Sequence, residues 1–223
     1  MLKISRVTSF SALAIALFSG LVYLFAWSSV FSVTSISIEG APTPESKNAI
    51  SQLVHVVPGE KLARVEPRAI ATRIESIDWV RSVEISRHWL SGRVEILVVP
   101  RKPTAYFNGS TIDATGTVFQ LPGFSGGNLP TVSAAHPKIG LAAIALFQSL
   151  PSTFKAEVTS VSAHDTSNFS MHITVDGRDL QIAWGKNEKT ALKIQVIDAL
   201  LALPENKNVN RIDVSAPHAP IVK

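Results

Sequence analysis

Cysteine is missing from all 223 residues, which excludes a disulfide scaffold, a thiolate zinc site and a cysteine nucleophile. Charge is sparse too. Asp, Glu, Lys and Arg make up 17% of the chain, against roughly a quarter in an ordinary soluble domain. A chain that is 46% hydrophobic, with ten Phe and four Trp, fits neither disorder nor a fibrous repeat, and it fills cores for one or two domains. Walker and Rossmann glycine patterns are lacking, as is HExxH, so no cofactor or small-molecule substrate is indicated. The formal charge of +4 comes without a basic block, so a nucleic-acid footprint is lacking as well.

What is present first is an uncharged run from Val7 to Ile38. Within it, residues 10–27 (FSALAIALFSGLVYLFAW) are almost wholly apolar and would span about 27 Å as a helix. Lys3 and Arg6 precede the run, and the next basic residue is Lys47. The positive-inside bias then predicts a single-pass topology in the cytoplasmic membrane, with 1–8 as a cytoplasmic tail, 9–29 as the transmembrane helix and the bulk outside. Tyr23 and Trp27 fit an aromatic belt. The rival reading is a cleaved signal peptide, with Ala26 and Ser28 at its cleavage site, although the apolar core exceeds the roughly 7–15 residues of a signal h-region.

Residues 31–101 predict strand, helix, helix, strand, strand. Phe31 and Val33 alternate, as do Ile36 and Ile38 out of phase, so one strand holds both pairs only through a β-bulge near Thr34-Ser35. Thr43-Pro44 is an N-cap followed by proline at the first helical position, and Pro67 opens a second short helix. Trp79, Val83, Ile85 and Trp89 mark a strand, Leu90-Ser91-Gly92 a turn, and residues 94–99 a strand buried on much of both faces.

In residues 102–223, Asn108-Gly109 and Asp176-Gly177 predict hairpins, and Asp113 with Gly116 a type I turn. Residues 120–135 read as a loop. Pro137 to Leu150 reads as a helix. Asn187 is placed to cap a last helix whose Leu192, Val196, Ala199, Leu200 and Leu203 face a sheet. Val209–Ser215 is a final strand, either an edge or an interior end-of-domain strand. The fold class is α+β.

Catalytic patterns fail on context. Gly123-Phe124-Ser125-Gly126-Gly127 has the spacing of a nucleophile elbow, but Pro122 precedes it and no helical stripe follows. His55 or His88 with Asp113 would complete the chain order of a triad. His164, Asp165 and His172 are the nearest approach to a metal set, and Asp176 with Asp179 to a carboxylate pair. Neither a catalytic nor a metal site is expected. An anchored wall hydrolase and another envelope adaptor remain as alternatives.

The opening Phe31-x-Val33-x-x-Ile36-x-Ile38-x-Gly40, together with Val83-x-Ile85-x-Arg87-x-Trp89 and Arg101-x-Pro103-x-Ala105, resembles a POTRA domain of the bacterial cell-division family FtsQ/DivIB. Ile112-Asp113-x-x-Gly116-x-Val118-Phe119 and Ile212-Asp213-Val214-x-x-Pro217-x-x-Pro220 resemble that family's β domain. Leu90 stands where the family usually has Pro, and Pro100 where it usually has Glu; a proline there limits the strand or sits at its edge. The resemblance implies a non-enzymatic scaffold with a POTRA domain at 31–101 and a mostly antiparallel β domain at 102–223. It implies partners of the FtsB/DivIC and FtsL type, and through them influence on the septal peptidoglycan synthase at the division site. It also implies that a partner strand docks beside Arg211, Ile212, Asp213, Val214 and Ser215.

Overall fold

The uncharged run begins as a helix, α1 (Arg6–Ala26), in a computed structural model that describes residues 6–26, 29–127 and 129–223. The tail around Lys3, and Trp27-Ser28 of the cleavage motif, lie outside the described residues. Among the described residues no helix is long and apolar enough to cross a membrane. The chain divides into two compact units, one ending at Arg101 and one beginning at Lys102.

The first unit continues with β1 (Ser35–Glu39), α2 (Pro44–Val54), α3 (Pro67–Glu75), β2 (Val80–His88) and β3 (Arg93–Pro100). Thr43 caps α2 as its sequence dictates. The Thr43 hydroxyl accepts the Ser46 N–H at 3.0 Å, and Ser46 Oγ accepts the Thr43 N–H at 3.0 Å. The helix ends at His55 in the left-handed region (φ 49), and Arg73 of α3 donates to the freed carbonyls of Leu53 and Val54. The sheet order is β1-β3-β2, with β2 and β3 antiparallel and β1 parallel to β3. Ile50, Val54, Ile70 and Ile74 from the helices and Val94, Ile96 and Val98 from β3 are buried.

Two sequence expectations change here. No bulge joins Phe31 to Ile38. Ser29–Phe31 is a 3-10 turn, and Val33 exchanges bonds with the 59–60 turn: its N–H donates to the Glu60 carbonyl, and Gly59 N–H donates to its own. The out-of-phase pairs serve two different pairings, so neither needs an extra residue. Second, β3 is buried on one face only, since Leu97 and Val99 are each 44% exposed on the other. Pro100 limits its strand as its chemistry predicts, ending β3, the central strand of the three. It lies beyond the last β1 pairing, Glu39 with Leu97, so its missing N–H falls outside that ladder.

The second unit holds β4 (Ala105–Phe107), β5 (Ser110–Ile112), β6 (Val118–Phe119), β7 (Thr131–Ala134), α4 (Pro137–Ser149) and α5 (Ser152–Glu157). Then come β8 (Val158–Ala163), β9 (Phe169–Val175), β10 (Arg178–Gly185), α6 (Thr190–Leu201), β11 (Arg211–Asp213) and β12 (Ile221–Val222). The nine strands form one sheet in the order β12-β11-β10-β9-β8-β7-β4-β5-β6. Asn108-Gly109 and Asp176-Gly177 turn their hairpins with positive φ at both residues. The turn at Asp113 closes with Gly116 N–H on its carbonyl at 3.1 Å.

Residues 131–134, expected in a loop, form β7 between β4 and β8, parallel to both, with Val132 and Ala134 buried. The last helix begins at Thr190 after Lys189 in the left-handed region, not under an Asn187 cap. Its buried face is Lys193 and Ile197, while Ala199 and Leu203 are exposed. A lysine in a core position hid that face from any reading of apolar periodicity.

Candidate partner-binding edge

The C-terminal margin of the sheet is built from backbone alternation. β11 runs parallel to β10, with Gln181 opposite Arg211, Ile182 opposite Ile212 and Ala183 opposite Asp213. Gln181 N–H donates to the Asn210 carbonyl at 2.9 Å, and Val214 N–H to the Ala183 carbonyl at 2.9 Å. On its other side β11 is antiparallel to β12, with Ile212 opposite Val222 and Asp213 opposite Ile221. Arg211 and Lys223 exchange both backbone bonds, at 3.1 and 2.9 Å.

The terminal strand is therefore not an edge. Residues 221–223 cover it, and two residues of strand suffice because the Arg211–Lys223 exchange extends the ladder. Since Arg211 and Lys223 are a hydrogen-bonded pair, Ile212 and Val222 are a non-bonded pair. That alternation turns Ile212's backbone groups towards β10 and Val222's N–H and C=O outwards, along the outermost strand. Sequence reasoning missed β12, whose only signal is Ile221-Val222 after Pro220.

The five residues singled out from sequence lie together but differ in role. Ile212 and Val214 are wholly buried in the core. The Asp213 carboxylate accepts from Ser215 N–H at 2.9 Å and Ser215 hydroxyl at 2.7 Å, closing a local turn. Ser215 packs on Gly185, where an added Cβ would stand 2.8 Å from the serine Cβ. Arg211 has its side chain exposed beside the edge. Behind them Lys193 donates to the carbonyls of Trp184 at 2.6 Å and Lys186 at 2.7 Å, fastening the end of β10 to α6. Burial lowers the Lys193 pKa from its ordinary 10.5, with Glu188 and Asp213 acting in the opposite sense.

The residues considered for catalysis serve local structure. Ser125 lies in a loop where Gly126 packs against the Tyr106 hydroxyl and Phe124 tilts over the Tyr106 ring. Asp113 is held by Thr115 and Thr117, in the turn. Asp165 accepts from Ser167 N–H, the first cause of its lowered pKa. Asp176 sits in its hairpin turn, and Asp179 accepts from Thr174 at 2.7 Å. Glu157 is raised by burial first, then by the charges of Asp198 and Asp176. Among the described residues no cluster of three His, Asp or Glu is arranged to hold a metal.

Comparison with known proteins agrees with this architecture. The POTRA domain, FtsQ-type, matches residues 31–101, and the Cell division protein FtsQ/DivIB, C-terminal, matches residues 105–215. Cell division protein FtsQ of Streptomyces bingchenggensis is 25% identical, over 92% of this chain and 80% of that protein. The proteins of the same name from Mycolicibacterium smegmatis and Mycobacteroides abscessus are 27% and 26% identical, over 98% and 92% of this chain. The chain spans 65% of the length of each of those two. With two family matches laid end to end over most of its length, the chain belongs to the FtsQ/DivIB family of non-enzymatic bacterial cell-division proteins.

Proposed function

We propose that this protein is an anchored scaffold of the division complex that captures a partner by strand addition at the C-terminal edge of its second module. Residues 1–8 are the cytoplasmic tail, 9–29 the membrane span, 31–101 the POTRA module and 102–223 the partner-binding module. The anchor is supported by the apolar, uncharged sequence from Phe10 to Trp27, and by Phe10, Leu13, Ile15, Leu17 and Phe18, all exposed on α1. Lys3 and Arg6 hold the N-terminus in the cytoplasm.

The observation that carries the docking reading is the outward-facing backbone of Val222 on the outermost strand, flanked by Ile221 at 55% exposure. An extended segment of an FtsB/DivIC-type partner pairs with it, gaining affinity from main-chain bonds and selectivity from the side chains of Ile221 and Arg211. An FtsL-type protein joins the same complex, through which the scaffold influences the septal peptidoglycan synthase.

The test is photo-crosslinking in growing cells from probes at positions 211 and 222, with mass spectrometry of the adducts. Capture of small single-pass coiled-coil proteins at 222, with weaker capture at 211, is the expected outcome. Glycan adducts, or no adduct at either position in a folded protein, would overturn the edge as the docking surface.

A further inference from the structure

We infer that the tip of the β2–β3 hairpin, Trp89-Leu90, seats on the lipid surface beside the point where α1 leaves the membrane. The inference rests on the reading of α1 as the anchor. Leu90 is fully exposed at a turn, a position where small polar residues serve at no cost. A lone exposed leucine needs no explanation by itself. Its place in the fold gives it one.

The hairpin tip is clamped to the segment that follows α1. The Phe31 ring meets the Trp89 ring edge-on, with centroids 6.1 Å apart. Thr34 N–H donates to the Gly92 carbonyl at 2.8 Å and Thr34 Oγ1 to the Ser91 carbonyl at 2.7 Å. Gly92 has φ +70, and a Cβ there would stand 2.5 Å from the Ser32 carbonyl oxygen, so the tip cannot be packed closer. From Ala26, the last residue of α1, to Phe31 is five residues, at most about 18 Å of chain even if extended. α1 also touches the 3-10 turns Ser29–Phe31 and Leu62–Arg64. The tip is thus tied within a short tether of the helix end.

The chemistry gathered there suits an interface between water and lipid. Trp89 is the amphipathic ring favoured at headgroup level, with the Arg87 guanidinium stacked on it at 5.2 Å. Arg87 in turn donates to the Leu62 and Val65 carbonyls, tying the second 3-10 turn to the tip. Val30 adds a second apolar side chain, 67% exposed. Lys61, which donates to Ser32 Oγ, together with Arg64 and Arg93, supplies cations for headgroup phosphates. The carboxylates of this region are Glu60, Glu66 and Glu95, and Glu95 is bonded to His88 at 2.7 Å. Leu90 then enters the upper acyl region while the cations meet phosphate.

The chain's lack of cysteine makes the test direct. Spin labels are placed singly through Leu17→Cys, Glu84→Cys and Leu90→Cys in the full chain, reconstituted in vesicles of phosphatidylcholine and phosphatidylglycerol. Collision with oxygen, which concentrates in lipid, is compared with collision with a water-soluble nickel complex. The expected result is lipid-type accessibility at 17, water-type at 84 on the exposed side of β2, and nickel accessibility at 90 several-fold below that at 84. A label at 90 as open to nickel as the one at 84, with 17 in lipid, overturns the inference and leaves the anchor standing. Water-type accessibility at 17 overturns the anchor itself, and the inference with it.

Discussion

Lys193 donates to the carbonyl of Trp184 at 2.6 Å while its ammonium lies 5.1 Å from the centroid of that same residue's indole ring. One buried cation therefore fixes both the end of β10 and the aromatic ring below it, directly behind β11. Methionine at 193 would keep the stem's packing but leave the Trp184 and Lys186 carbonyls without their donor. Lys193→Met should cost about 1–3 kcal/mol in urea denaturation at neutral pH. An unchanged midpoint would show that solvent replaces the clamp.

The same lysine sets a pH dependence. Its pKa in the folded state is lowered by burial, so between that value and 10.5 the unfolded chain binds more protons than the folded one. Stability from this group therefore rises as pH rises through that window and is lowest below it. Denaturation at a series of pH values up to 10.5 should show the wild type gaining relative to Lys193→Met as pH increases. Parallel curves would remove Lys193 from the pH response.

Gly185 carries φ +70 and touches Ser215 where β10 passes β11. Gly185→Ala combines a disfavoured backbone region with a contact that pushes the strands apart, at a cost of about 1–3 kcal/mol. Thermal unfolding reads the loss; full retention of Tm would mean that the 213–215 turn moves away freely.

Two prolines separate the edge from the core. Val222→Pro removes an outward N–H without touching the Arg211–Lys223 exchange, so partner capture should fall while the fold persists. Ile212→Pro removes a buried residue's bond towards β10, so it should unfold the margin of the sheet. Hydrogen exchange on both variants, alongside a pull-down, checks this. Equal capture by Val222→Pro and wild type would put the docking surface elsewhere.

Arg73 satisfies the last carbonyls of α2 from a neighbouring helix. Arg73→Ala should destabilise the first unit by about 1 kcal/mol, more than an exposed arginine would. Local fraying of residues 51–55 in hydrogen exchange is the matching signature.

The local punctuation of the chain is legible in its residues alone. Thr43-Pro44, Pro67, Asn108-Gly109, Asp176-Gly177 and the helix from Pro137 all stand where residue chemistry places them, because caps and tight turns depend on a few neighbouring residues. Motif order over both halves points to the family. The candidate site is legible only in part. Arg211, Asp213 and Ser215 do lie at the sheet's C-terminal margin, but the outer strand is β12, and two residues carry no periodicity to read.

By itself, then, the sequence determined turn chemistry, the proline-marked starts of α2, α3 and α4, the uncharged N-terminal run and family membership, all written in short stretches or their order. Only the tertiary structure decided which strand is outermost, that β7 joins the sheet, which face of α6 is buried and that Leu97 and Val99 stay exposed. Those depend on pairings between residues far apart in the chain, where a two-residue strand such as Ile221-Val222 gains its place only from the ladder it meets. A buried lysine is the sharpest case. Its position reads as surface until the carbonyls of Trp184 and Lys186 are brought within reach of its ammonium.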